Sequence, residues 1–125
     1  MNRSLATLGV RMDRITLSVP AETAFHGTLR LVVGGIGARS RLSYEQVSEL
    51  QLAAESLVAH RRVQGEAIFV EAALDEGGIS LLLGPFEPED DPSRLRVVER
   101  LVDRVAVVER DEAQWLELSS EGPST

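Results

Sequence analysis

The 125-residue chain contains no cysteine, which excludes disulfide bonds, thiolate nucleophiles and zinc sites built on cysteine. A cysteine-free composition fits a reducing compartment. The first residues lack the apolar core of a secretory signal peptide, and the most apolar stretch, residues 29–38, is too short and too rich in glycine to span a bilayer. We therefore expect a cytoplasmic protein that does not enter a membrane.

Lysine is absent as well, so every basic residue is an arginine, and the net charge is −7. A face that binds nucleic acid needs clustered cations that release counterions from phosphates. The arginines here form only small pairs near acids, which predicts solvated surface. These pairs are Arg39/Arg41, Arg61/Arg62 and Arg94/Arg96. The charge thus argues against a nucleic-acid partner.

The length and the apolar fraction of 43% predict one globular domain. We expect residues 1–12 to be a flexible leader, residues 13–119 to form the domain and residues 120–125 to be a flexible tail.

Alternating polar and apolar residues over 14–19, followed by Pro20, predict a first strand. The next stretch allows two interpretations. Leu29, Val33 and Ile36 recur at helical spacing, although three nearby glycines oppose a helix. The alternative is a strand over 29–33 that leads into a glycine-rich phosphate loop. That loop would lack both the third glycine of a dinucleotide fingerprint and the Lys-Ser/Thr pair of a P-loop, so the helix is favoured.

A capping box at Ser43 and Gln46 predicts a helix that runs to about Arg62. Residues 66–74 and 79–83 read as strands joined by a hairpin turn at 75–78. A loop is expected over 84–91, where two prolines and four acids lie. Asp91 and Pro92 then begin a helix whose inner face extends to Val105.

The final hairpin is predicted over residues 106–109 and 114–118. Trp115 alternates with Leu116 and Leu118, so it either points outward, as at an interface, or covers the sheet; both interpretations stay open. The resulting order, β-α-α-β-β-α-β-β, predicts an α+β two-layer sandwich with helices on one face of a mixed, mostly antiparallel sheet.

Four stretches of sequence stand out when they are taken with this order. They are Ile-Thr-Leu-Ser-Val-Pro-Ala at 15–21, Leu-Arg-Leu-Val-Val at 29–33, residues 42–47 with Leu52-Ala53, and residues 95–105. Their order and spacing resemble the anti-sigma-factor serine kinases of the GHKL (Bergerat-fold) ATPase superfamily. The resemblance covers residues 13–120. It implies a histidine-kinase-like ATPase fold in a bacterial regulator of transcription.

In such kinases the catalytic helix carries a Glu and, four residues later, an Asn that holds the metal. Matching Leu52-Ala53 to the family places these positions on Ser56 and His60. A shift of one residue places Glu55 on the Glu but Ala59 on the Asn. Neither register restores both groups, since a hydroxyl is a poor base without an activating neighbour and His is a poor ligand for magnesium.

The remaining nucleotide-binding elements of the family also differ here. Leu82 stands where the Asp of an Asp-x-Gly motif would bind adenine, and Gly84 matches the glycine. The lid segment, residues 85–94, has no glycine and carries Glu87, Glu89, Asp90 and Asp91, which would repel a triphosphate. Ala113-Gln114 replace the last Gly-Thr.

The resemblance therefore implies a degenerate member that is non-catalytic or binds nucleotide only weakly, for which no cofactor is expected and which acts by protein binding. Its partner would be a sigma factor, an anti-sigma antagonist or a second copy of the chain. The alternative is an active Ser/Thr kinase that phosphorylates an antagonist, uses ATP and Mg²⁺, and relies on Glu55 or His60 and on the acids of residues 87–91. For His26 and for the acidic residues 87–91, the sequence favours solvated surface over a two-histidine metal site and a calcium site.

Overall fold

The computed structural model describes residues 13–123, and five strands and three α-helices occur within them in the predicted order. The strands are β1 (Asp13–Pro20), β2 (Ala67–Leu74), β3 (Gly78–Phe86), β4 (Arg104–Arg110) and β5 (Ala113–Glu121). The helices are α1 (His26–Gly37), α2 (Tyr44–His60) and α3 (Arg96–Leu101). Short 3₁₀ turns precede α1 and α3. No helix in this part of the chain is long and apolar enough to cross a membrane.

The strands form one sheet in the order β1-β2-β3-β5-β4, and each neighbouring pair is antiparallel. The predicted α+β class is confirmed, whereas the expected mixed sheet is wrong for the described strands. The crossover through α3 makes β4 run in the same direction as β3. Because β5 lies between β3 and β4, no two parallel strands become neighbours.

The hydrophobic core lies between one face of the sheet and the inner faces of the helices. Alternate strand residues enter it, as a half-buried antiparallel sheet requires. Those from β2, β3 and β5 include Ile68, Val70, Ala72, Leu74, Ile79, Leu81, Leu83, Leu116 and Leu118. Leu29, Leu50, Leu57 and Val98 reach the same core from the three helices. Within residues 13–123, the opposite face of the sheet carries no helix.

The predicted helix starts and the predicted turn are confirmed. Ser43 Oγ accepts a hydrogen bond from the Gln46 amide at 3.1 Å, and Gln46 Oε1 accepts from the Ser43 amide at 2.9 Å, which completes the capping box. Asp91 Oδ1 accepts from the Ser93 amide at 3.0 Å. Asp75 Oδ1 accepts from the amides of residues 77 and 78 and closes the β2–β3 turn.

Several element boundaries differ from the predictions. β3 continues to Phe86, because the backbone of Val63 bridges to it and the Gln64 amide donates to the Pro85 carbonyl at 2.9 Å. The last helix ends at Leu101, since β4 pairing begins at residue 104. β5 extends past the expected tail boundary at residue 119, and the Gly122 amide donates to the carbonyl of residue 77. The expected leader lies outside the described residues.

The glycine-rich stretch is part of α1, so the phosphate-loop alternative is wrong. Two of its glycines let α1 approach α2 closely. A Cβ at Gly34 would meet the side-chain amide of Gln51, and one at Gly37 would lie 2.9 Å from a methyl of Val47. Gly35 differs, because a Cβ there would meet nothing within 4 Å.

We expect Gly35→Ala to raise the free energy of unfolding by about 0.5–1 kcal/mol, because alanine loses less backbone entropy in a helix and gains no clash here. Gly37→Ala is the matched control, and it should destabilise the protein because the new methyl would push Val47 away. Urea unfolding of the two variants checks both signs. Equal effects would contradict the packing role assigned to Gly37.

Candidate functional site

Three of the positions that the resemblance assigns to nucleotide chemistry lie on α2. Glu55 Oε1 is 3.7 Å from Nη1 of Arg30 on α1, in a partly exposed ion pair. His60 is exposed, and its Nδ1 is 2.9 Å from the Ser56 carbonyl oxygen one turn earlier. Glu55 thus contacts the neighbouring helix, and the His60–Ser56 contact is local to α2.

Leu82 and Gly84 lie on the other side of the sheet from α2. In β3, Leu81 and Leu83 enter the core, so the intervening residues face the helix-free side. Register supports this placement, since Leu82 pairs with Glu71 and Gly84 pairs with Phe69. The structure therefore separates the predicted positions into two groups, one in the helical layer and one beyond the sheet.

Trp115 packs directly on Gly84 on the helix-free face. A Cβ at Gly84 would lie 2.6 Å from Cδ2 of the indole. The guanidinium carbon of Arg110 is 4.3 Å from the centroid of the Trp115 ring. The centroids of the Phe69 and Trp115 rings are 6.5 Å apart, and the two ring planes are tilted by 36°. Trp115 is consequently only 8% exposed. Trp115 therefore points away from the core, as in the first interpretation, and also covers the sheet, as in the second.

Arg61 is buried, with 7% of its surface exposed, so the predicted solvated surface is wrong for this residue. Arg61 is the C-cap of α2 and has extended backbone angles (φ −116°, ψ 143°), which turn the chain away from the helix. Its Nη2 donates to Gln114 Oε1 at 2.5 Å, and its guanidinium carbon is 5.7 Å from the Phe86 ring centroid. Arg62 remains exposed.

The acidic segment, residues 87–91, also contacts the residues around Arg61. The Glu89 amide donates to Gln114 Oε1 at 3.2 Å, and the Glu87 amide donates to the Arg62 carbonyl at 2.8 Å. Asp91 caps the 3₁₀ turn before α3. Within residues 13–123, no group of three or more acidic or histidine side chains is placed to hold a metal ion.

Three stretches that the resemblance assigns to the nucleotide therefore meet around one side chain. They are the end of α2, the acidic segment, and residues 113–114 at the start of β5. Sequence reasoning missed Arg61 and treated Gln114 only as a replaced motif residue. The one available signal was the polar Gln114 directly before the apolar pair Trp115 and Leu116, because a buried amide requires a partner.

An open depression of about 750 Å³ lies at the other end of the sheet, beside the β2–β3 turn. Its floor is a row of residues that pair with one another across the five strands. In sheet order they are Arg14, Ala73, Ser80, Ser119 and Arg104. The lining also includes acids, among them Glu76, Glu117 and Glu121. None of the positions predicted from the resemblance contributes to it. The predicted turn at residues 75–78 lines one side of this depression, and the rest of the lining comes from β1, β2, β3, β4 and β5.

No model of a known protein family matches this chain, and no curated protein matches it.

Proposed function

We propose that the chain is a non-catalytic regulator of the anti-sigma-factor kinase type, which acts by binding another protein in a transcription partner-switch in the cytoplasm. The partner would be a sigma factor or an anti-sigma antagonist, and the chain could also pair with a second copy. The observation that carries the proposal is the buried Arg61 side chain. It lies where three stretches that the resemblance assigns to nucleotide binding meet. Its guanidinium contacts Gln114 and Phe86 of the same chain.

The chemistry around Arg61 favours internal structure over nucleotide binding. Gln114 Oε1 accepts hydrogen bonds from both Arg61 and the Glu89 amide, so these donors already have partners within the chain. Glu87 and Glu89 would add negative charge beside a triphosphate. Leu82 offers no acceptor for an adenine amino group and faces the other side of the sheet.

The kinase alternative has less support from the geometry. Glu55 is paired with Arg30 and lies on the helical layer, away from Leu82 and Gly84. Asp91, which the alternative needs for magnesium, accepts hydrogen bonds from the amide and hydroxyl of Ser93 as a helix cap.

We expect no heat of binding when the protein is titrated with ATP at millimolar concentration, with or without Mg²⁺. A thermal melt in the same buffers should show no upward shift in Tm. Nucleotide at about 100 times its Kd would stabilise the folded state by about 2.7 kcal/mol, which is a shift of about 10 °C for a domain of this size. Binding tighter than about 100 μM would overturn the proposal. Glu55→Gln and His60→Ala would then be tested for kinase activity.

A further inference from the structure

The helix-free face of the sheet has an apolar end. Phe69 is 41% exposed there, and Leu82 and Val108 are half-buried around Trp115. An antiparallel sheet with one face in water normally presents polar side chains on that face. Phe69, Leu82 and Val108 thus present apolar surface around the indole, on a face that nothing in the described chain covers.

The same face becomes negatively charged toward its other end. Glu117 and Glu121 follow each other along β5, four residues apart, and Glu76 lies in the adjacent turn. Glu117 Oε2 accepts a hydrogen bond from a neutral donor, the Ser80 hydroxyl, at 3.0 Å. The cations Arg14 and Arg104 stand at the outer strands β1 and β4. Glu71, by contrast, has a partner, since Arg110 Nη1 lies 3.3 Å from its carboxylate.

We propose that this face binds a segment of a partner protein that carries apolar side chains at one end and arginine or lysine at the other. The segment would lie along β3 and β5, with its apolar end on Phe69 and Leu82 and its cations on Glu117 and Glu121. From Gly84 to Gly78 the path is about 20 Å long, at about 3.3 Å per residue. This length suits about six extended residues or about 13 helical residues. The proposal rests on the protein-binding function proposed above and names its surface.

A second copy packed symmetrically about the middle of this face fits it poorly. Register places Glu71, Leu82 and Glu117 in one row across the middle of the sheet. A twofold axis in the plane between two such faces sets this row against itself when it runs along the strands, or across them through the row. Acids would then oppose acids in a desolvated interface, which is costly. A segment with its cations over β5 instead complements the charge.

The test is the binding of a fluorescein-labelled probe peptide to the full chain, measured by anisotropy. The probe has about 13 residues, with leucines at one end, arginines at the other and no acid. Phe69→Ser and Glu117→Gln should each weaken binding about tenfold. Leu31→Ser on α1, which is 76% exposed, and Glu112→Gln in the β4–β5 turn are matched controls. They should change Kd less than about twofold.

Equal weakening by all four variants would mean that bulk charge attracts the probe, and this would overturn the proposal. No binding at millimolar protein would overturn it as well. The ATP titration described above tests the proposed function separately. A concentration-dependent dimer in sedimentation, abolished by Phe69→Ser, would assign the face to a second copy and also overturn it. Urea unfolding verifies that each variant folds, and Leu82→Ser replaces Phe69→Ser if that variant does not.

Discussion

Replacing Arg61 with alanine is expected to lower the free energy of unfolding by about 3 kcal/mol. The change removes the hydrogen bond to Gln114 and the packing of the guanidinium on Phe86. It also leaves a cavity and weakens the polar contacts of the acidic segment, and each of these effects costs about 1–3 kcal/mol in a buried site. Urea unfolding of the variant, compared with the unchanged chain, measures the loss.

Arg62→Ala is the matched control for this prediction, because it removes the same side chain and the same charge from the next residue. Arg62 is exposed, so the change should cost less than about 0.5 kcal/mol. Hydrogen exchange gives a local readout. The Glu89 amide should exchange faster in Arg61→Ala, since its acceptor Gln114 loses the group that positions it. Equal and small effects of the two substitutions would contradict the central role given to Arg61.

The elements that the sequence predicted well are those specified by neighbouring residues. The Ser43–Gln46 box, the Asp91 cap and the Asp75 turn each depend on hydrogen bonds across two or three positions. Alternation of polar and apolar residues likewise predicted β1. These local rules were sufficient for the order of the elements and the α+β class.

The sequence could not show interactions that only the tertiary fold creates. Arg61 and Gln114 are 53 positions apart, and the arginine pair at 61–62 gives no sign that one member is buried. The end of β3 was missed for a similar reason. Gly84 and Pro85 are typical of a loop, but pairing with residues 63 and 64 and with β5 keeps them in the strand.

The candidate site was harder to predict than the fold, because spacing along the sequence does not show where two motif positions lie in space. Glu55 and Leu82 stand at positions that the resemblance assigns to one nucleotide site, yet they lie on opposite sides of the sheet. Gly84 matched a glycine of the family motif. Its close contact with Trp115 supplies a packing reason for glycine at this position that involves no nucleotide.

That packing reason leads to the second large expected effect, a loss of about 2 kcal/mol in the free energy of unfolding for Gly84→Ala. The new methyl would lie 2.6 Å from the indole of Trp115. The ring cannot move away easily, because Arg110 and Phe69 contact it. Overpacking of this kind typically costs about 1–3 kcal/mol. Unfolding in urea, followed by circular dichroism, measures the change.

A double-mutant cycle with Trp115→Leu tests the cause. If the indole is what requires glycine, Gly84→Ala should cost less than half as much once the ring is gone, which gives a coupling of about 1 kcal/mol. Gly77→Ala is the control, because a Cβ there meets only Asp75 Oδ1 at 3.6 Å, and its cost should be the same in both backgrounds. Strictly additive effects of Gly84→Ala and Trp115→Leu would show that another constraint holds the glycine. A coupled result would mean that Gly84 is explained by the helix-free face alone, so that it adds no support for a nucleotide site.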